Sequence, residues 1–487
     1  MRGLSLVVFV AALLLAAPPP RAFAAGAAPA VAAASKAMGA DGLTSIKMWG
    51  SGASFGLGQS NNANGPWPRT NLNDYVRAID FAAPASRAIA VTWAAPVTGG
   101  PAVRGDFSQL VTPATPAWGQ QLEIWTTPWG FLKGAAANDA TVAARTVNGR
   151  RVQVVTWKTP LKAPSGLPYT LVGYIGPDGL VERVQTWLEN PIFGDMLVES
   201  IYSDYRDAGG LKFPSTMVQA RGGQATFEAQ ILGVAANPAD IGRLLTPPSG
   251  SPPAGPPGGP PAAQGPASEK LADGVWRIRG AYNALAVEFA DHVLLFEPGP
   301  QSEARAQAII DETHRVIPGK PIRYGVISHH HFDHTSGLSA VVAEGVTIVT
   351  HQTNKAFLER ALGAPRTLAP DAIARSGKRP VIEGIVGDKR VFQDATRTFE
   401  VYRVRGLPHA DGMLIGYLPK ERILVYADMF NLPPAAAPVP DPPVVGTQVF
   451  LANIERLKLA PERIMSVHSL NPDRLATLQD IRASLGR

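Results

Sequence analysis

At 487 residues the chain is longer than one compact core usually fills, so two domains are expected. Hydrophobic residues make up 45% and charged residues 17%, an ordinary globular balance, and the absence of cysteine excludes disulfides and thiolate metal sites. The formal net charge of +6 is modest and no Lys/Arg run tracks a phosphate backbone, which argues against a nucleic-acid partner.

The chain opens with Met1-Arg2-Gly3, a short positive start, followed by an apolar run from Leu4 to Ala17 broken only by Ser5. Pro18-Pro19-Pro20 then breaks any helix, and Ala22-Phe23-Ala24 offers a small-x-small cleavage site. Residues 1–24 therefore read as a secretory signal peptide, which places the mature protein in the periplasm or outside the cell. No later stretch reaches the roughly 18 apolar residues of a membrane span. Residues 25–40 are Ala-rich and are expected to be disordered.

From residue 41 to 245 the pattern is β-rich. Arg151 to Trp157 follows a turn at Asn148-Gly149, while Tyr169 to Ile175 and Leu180 to Trp187 flank Gly176-Pro177-Asp178-Gly179, a strong hairpin signal. Met196 to Tyr205, Leu211 to Ala220 and Ala225 to Val234 continue the series, with Gly209-Gly210 and Gly222-Gly223 at the turns. This predicts an antiparallel meander. Tyr202-Ser203-Asp204-Tyr205-Arg206, Gly210-Leu211-Lys212-Phe213-Pro214 and Asn237-Pro238 resemble, diffusely, the strands of lipoprotein-carrier-like half-barrels. Such a half-barrel would hold an apolar ligand in its concave face or pack against its neighbour, and no catalytic residue is inferred there. Residues 246–266 then contain 14 Pro or Gly in 21 positions, a composition that predicts a partly extended linker.

The last part, 267–487, alternates helix and strand signals. Ser302 caps a predicted helix that carries Ala306, Ile309, Ile310, Val316 and Ile317 on one face and stops at Pro318-Gly319. Ile322 to Ile327 reads as a buried strand, as do Arg397 to Arg405, Met413 to Leu418, Arg422 to Tyr426 and Arg463 to Val467. Leu475, Leu478 and Ile481 give a final helix its apolar stripe. Directly after the strand at 322–327 comes His329-His330-His331-Phe332-Asp333-His334, which even without His330 packs four potential metal ligands into six residues. Alternate positions 329 and 331 share a face of extended chain, so they converge on one cation while His330 points away. Asp333 and His334 follow closely enough to reach a second. Imidazoles with a carboxylate suit Zn²⁺. His292, His314, His330 and His351 are assigned structural roles.

His-x-His-x-Asp-His after an apolar strand resembles the signature of the metallo-β-lactamase-fold hydrolases, and the resemblance continues in order. Gly406-Leu407-Pro408-His409-Ala410-Asp411-Gly412, Leu424-Val425-Tyr426-Ala427-Asp428 and Ile464-Met465-Ser466-Val467-His468 look like that family's later ligand segments. The resemblance implies an αββα sandwich, giving an α+β protein with a β-rich antiparallel domain in front. It implies that His329, His331 and His409 hold one zinc ion and Asp333, His334 and His468 a second, with Asp428 and a hydroxide between them. Histidine at 331, where di-iron relatives carry a carboxylate, implies zinc and hydrolysis. Two departures stand out. Phe296-Glu297-Pro298-Gly299 replaces the usual Asp-x-Gly, leaving Glu297 to orient a ligand histidine. Asp411 is a second carboxylate close to His409.

A pair of zinc ions supplies hydroxide at neutral pH, so no serine or cysteine nucleophile is needed, and no Gly-x-Ser-x-Gly elbow is present. The reading is a secreted binuclear zinc hydrolase of a small-molecule ester, lactone or amide, with Asp333 catalytic. A β-lactamase is the nearest alternative. A periplasmic binding protein for lipid or another apolar ligand, with a structural zinc domain, is the alternative of another class.

Overall fold

The computed structural model describes residues 25–94, 102–114, 117–246, 267–434 and 438–487. The signal peptide read over 1–24 and all but Thr246 of the linker read over 246–266 lie outside the described residues. Among the described residues no helix is long and apolar enough to cross a membrane.

The N-terminal part is one twelve-stranded sheet in which every pairing is antiparallel. The six strands expected between 151 and 234 are present as Arg150–Lys162, Pro168–Ile175, Val181–Asn190, Gly194–Ala208, Leu211–Arg221 and Gln224–Ala236. Alternation is cleanest in Pro168–Ile175, where Tyr169, Leu171, Gly173 and Ile175 are the buried positions. That face packs on two helices, Trp118–Trp125 and Pro128–Ala137, whose Trp118, Leu122, Trp129 and Phe131 share one core with Trp157, Leu171, Val184 and Val198. Helices thus occupy the face on which an apolar ligand was one expectation.

Six further strands precede these: Ala25–Gly26, Thr141–Val147 and four longer ones, Ser45–Phe55, Arg69–Asp80, Ala85–Ala94 and Val103–Val111. The sequence hides them for a physical reason. Ser45–Phe55 and Ala85–Ala94 are rich in Ser, Gly and Ala, and register shifts at Gly50/Gly52 and Asn73/Val76 break the two-residue period. Ser45–Phe55 pairs with the last strand, Val234 lying opposite Met48 and Phe227 opposite Ser54. The segment 25–40, expected to be disordered, is instead folded: Ala28–Ala37 is a helix that buries Val31 and Ala34 in the same core, with Met38 just beyond it. Alanine is the strongest helix former, and here its small side chains also let the helix sit close against the core.

The C-terminal part consists of two sheets between two helical layers. Seven strands, Ser268–Ala272, Val275–Ile278, Ala284–Glu288, Val293–Phe296, Ile322–Val326, Thr347–His351 and Ile382–Ile385, form one sheet in chain order. Five, Lys389–Gln393, Thr398–Arg403, Leu414–Leu418, Ile423–Tyr426 and Arg463–Ser466, form the other. Strand alternation builds the layers. Leu285, Val287, Leu294 and Phe296 face Phe399, Val401, Val425 and Met465 between the sheets. Their neighbours Ala286, Val293 and Leu295 turn outward onto Ile309 and Ile310 of helix Glu303–Val316 and Phe357 of helix Gln352–Leu362. On the far side Ile415, Leu424 and Ile464 meet Phe450 and Ile454 of helix Val445–Arg456 and Ile481 of helix Leu478–Ala483. The result is an αββα sandwich. Ser302 caps its helix as expected, accepting from the Arg305 N–H.

The fit of helix to sheet in the N-terminal part is tight enough to test. A Cβ at Gly173 would lie 2.2 Å from the Phe131 ring. Gly173→Ala is expected to lower stability by about 1–3 kcal/mol, measured by urea denaturation, while metal content stays at the wild-type level.

Candidate metal centre

Each candidate ligand lies just past the end of a strand. Ile322–Val326 runs into His329 and His331, and His331 opens a single helical turn, Phe332–Thr335, that carries Asp333 and His334. The parallel pair Ile423–Tyr426 and Arg463–Ser466 delivers Asp428 and His468 to the same edge. His409 follows Thr398–Arg403 in the loop before Leu414–Leu418.

All seven residues come together in two clusters. One is His329, His331 and His409; the other is Asp333, His334, Asp428 and His468; in each, one ligand atom per residue lies within 4.8 Å of the rest. Asp428 reaches both. Its Oδ2 is 2.9 Å from His334 Nε2, 3.4 Å from His329 Nε2 and 3.7 Å from His409 Nε2, and its Oδ1 is 2.7 Å from His468 Nε2. Asp411 is elsewhere engaged, 2.7 Å from Arg403, and is absent from both clusters. His330 turns away from the clusters, its ring edge-on to Phe357. The structural assignments of the other histidines agree with their contacts. His351 caps helix Gln352–Leu362, His292 stacks on Phe289, and His314 pairs with Glu344.

Around these side chains runs a shell of partners. Glu297 is fully buried; its Oε2 lies 3.0 Å from His334 Nδ1 and its Oε1 accepts from the Ser328 N–H at 2.6 Å. The longer side chain therefore reaches His334, the contact that the orienting role expected of it requires. Tyr282 donates to Asp333 Oδ2 at 3.0 Å, and its ring leans on His468. The loop of residues 56–68, from the N-terminal sheet, also lies on the centre, and Gln59 donates to Asp333 Oδ1 at 2.9 Å. Sequence reasoning found neither Tyr282 nor Gln59. No spacing or residue pattern links position 59 to position 333, because the contact is made by domain packing. Glu297 and Asp428 both adopt positive φ, +63° and +56°. Side chains rarely take that conformation, which costs on the order of 1–3 kcal/mol each and is a frequent mark of functional sites.

Electrostatics divide the histidines. Burial, reinforced by His334 and His331, holds His329 well below the usual range, and burial pushes His331 down to about 3 and His330 to about 4. His334 goes the other way: burial opposes its charge, but Asp428 and Glu297 outweigh that and raise it. Burial works to raise Asp428 and Asp333 as well, yet His334 keeps both below the ordinary carboxylate range.

The donor set fits divalent metal. His329 Nε2 and both ring nitrogens of His409 are buried without a hydrogen-bond partner. Buried polar atoms are rarely left so, and neutral imidazoles with ionised carboxylates are the ligand forms a cation such as zinc requires.

Residues 277–464 match the family model of the metallo-beta-lactamase superfamily. The C-terminal domain belongs to that superfamily, and the chain is accordingly an enzyme of hydrolase type. Similar solved structures include a metallo-beta-lactamase from Pontibacter korlensis, at 16% identity and TM-score 0.32, covering 45% of this chain and 96% of that one. A flavodiiron protein from Giardia intestinalis shows 16% identity and TM-score 0.32 over 47% of this chain and 59% of its own. The inverting sec-alkylsulfatase Pisa1 from Pseudomonas sp. shows 19% identity and TM-score 0.32 over 45% and 40%. No curated protein matches the chain.

Two measurements check this geometry. Glu297→Ala leaves His334 Nδ1 and the Ser328 N–H unpartnered, so affinity for the ion at His334 should fall about 10–100-fold, read by chelator competition. In chelated protein, His329, His330 and His331 are neutral when folded but bind protons when unfolded below pH about 6.5. Their contribution is therefore complete above that pH and is lost as pH falls toward the lowered values. His334, with its raised value, has its full contribution already at pH 6.5. The melting temperature of the chelated protein should drop between pH 6.5 and about 4.5; a constant or rising value would contradict the assignment.

Proposed function

We propose that the protein is a secreted binuclear zinc hydrolase acting on an ester, lactone or amide-type bond of a small molecule. The observation that carries this reading is Asp428, a single carboxylate within 3.7 Å of imidazoles from both clusters. Bound metal would supply a nucleophilic water at neutral pH and polarise the scissile carbonyl. His329, His331 and His409 would hold one ion, and Asp333, His334 and His468 the other, with Asp428 shared.

Access points to where substrate sits. The side chains of Asp333 and His468 are 31% and 30% exposed, whereas those of His329 and His334 are fully buried. Substrate would approach over Asp333, His468 and Tyr282. Asp333 is kept ionised by His334 and held at both oxygens, by Gln59 and Tyr282, so it can orient the attacking water and accept its proton. The amide class includes β-lactam rings, which makes lactamase activity one case of the same chemistry.

A panel of chromogenic esters, lactones and β-lactams tests the proposal with wild type and Asp333→Asn. Hydrolysis of at least one substrate, abolished by chelation and restored by zinc, is expected, with about a 10²–10⁴-fold loss in Asp333→Asn. A binding function for an apolar ligand is favoured by a different observation, a cavity of about 460 Å³ lined by Trp118, Trp125, Trp157 and Leu161. Tight fatty-acid binding with no hydrolysis of any panel member would establish that reading instead.

A further inference from the structure

The N-terminal sheet reaches the metal centre through the loop of residues 56–68, which joins strands Ser45–Phe55 and Arg69–Asp80. Gly58 lies flat on the Phe332 ring: a Cβ there would be 2.3 Å from the ring, φ is +83°, and the Gly58 carbonyl accepts from the Phe332 N–H at 3.3 Å. Only glycine allows that approach. The loop is anchored on both sides, by Trp67 edge-on to Phe332 and by Ala63, buried in the core near Phe357 and Ala361 of helix Gln352–Leu362. This is a built contact.

Three successive residues of the loop then each take hold of a different part of the centre. Gln59 donates to Asp333 Oδ1 at 2.9 Å. The carbonyl of Ser60, a fully buried residue, lies 2.9 Å from Nε2 of both His330 and His331. Asn61 donates from its amide to the Pro408 carbonyl at 2.6 Å and accepts from the Asp411 N–H at 2.6 Å, bracketing His409.

The Ser60 contact fixes a tautomer. A carbonyl oxygen can only accept, so His331 Nε2 must carry its proton, and in the neutral imidazole the lone pair is then on Nδ1. A backbone carbonyl on the non-ligating nitrogen is a common way to orient a metal-bound histidine. The carboxylate of Asp333 has capacity to accept from Gln59 and Tyr282 and still offer a lone pair to a cation.

We propose that residues 59–61 of the N-terminal domain are positioning residues of the metal centre. Gln59 sets the Asp333 carboxylate, the Ser60 carbonyl sets the His331 tautomer, and Asn61 sets the His409 loop. The N-terminal domain is then a part of the hydrolase site and not an appended carrier. This rests on reading the clusters as a metal centre, and the test separates the two claims.

Long-range ¹⁵N–¹H NMR of the chelated full-length protein, with His331→Gln to assign the signal, should show His331 protonated at Nε2. An Nδ1-protonated or mixed His331 would overturn the proposal, whatever the metal content. Zinc competition with a chelator should then show about 10–100-fold weaker binding of one ion in Gln59→Ala and in Asn61→Ala. The metal-free melting temperatures should stay near wild type, and the Co²⁺-substituted absorption bands should shift. Affinities within twofold of wild type and unchanged Co²⁺ bands in both variants would also overturn it. If the wild type bound no zinc, the metal reading would fail, and the tautomer measurement would still decide the role of Ser60.

Discussion

Imidazoles gathered in one site need partners, and here the partner that four of them share is one carboxylate. His329, His334, His409 and His468 all lie within 3.7 Å of Asp428, which itself stands in a left-handed backbone conformation. Without a cation the arrangement leaves His329 Nε2 and both His409 nitrogens with no hydrogen bond in an interior that penalises such atoms. Much of the remaining architecture serves to hold that cluster together: strand ends bring the ligands in, Glu297 fixes His334, and the sandwich core keeps the strand ends in place.

That core explains why the cluster is rigid. Ile423–Tyr426 is buried throughout, Arg463–Ser466 at all but Arg463, and Ile322–Val326 at Ile322, Gly325 and Val326, so the ends that lead to the site have little freedom. Glu297 and Asp428 leave parallel-paired strands on different sheets at positive φ. Unfavourable backbone at those two positions is held by packing on both sides, as expected where a side chain must be aimed.

The sequence made the candidate centre legible because its candidate ligands follow strongly apolar strands and come in a recognisable order. His329, His331, Asp333, His334, His409, Asp428 and His468 could all be named, and so could the orienting role of Glu297. The N-terminal contribution could not. Gln59, Ser60 and Asn61 sit in a polar loop after a strand whose period is broken by Gly50 and Gly52, and their meaning arises from contacts 270 to 347 residues away along the chain. The Ala-rich helix at 28–37 was missed because composition, read alone, does not reveal a core already waiting for small side chains. Local pattern encodes elements, whereas domain packing encodes who touches whom.

The central claim is that both domains together build a two-ion zinc centre around Asp428. Crystals of the full-length protein grown with zinc, with anomalous diffraction on either side of the zinc edge, test it directly. The account predicts two peaks, one among His329, His331 and His409 and one among Asp333, His334 and His468, with the Ser60 carbonyl still on His331. No peak in either cluster, or ions bound only at other residues, would contradict it.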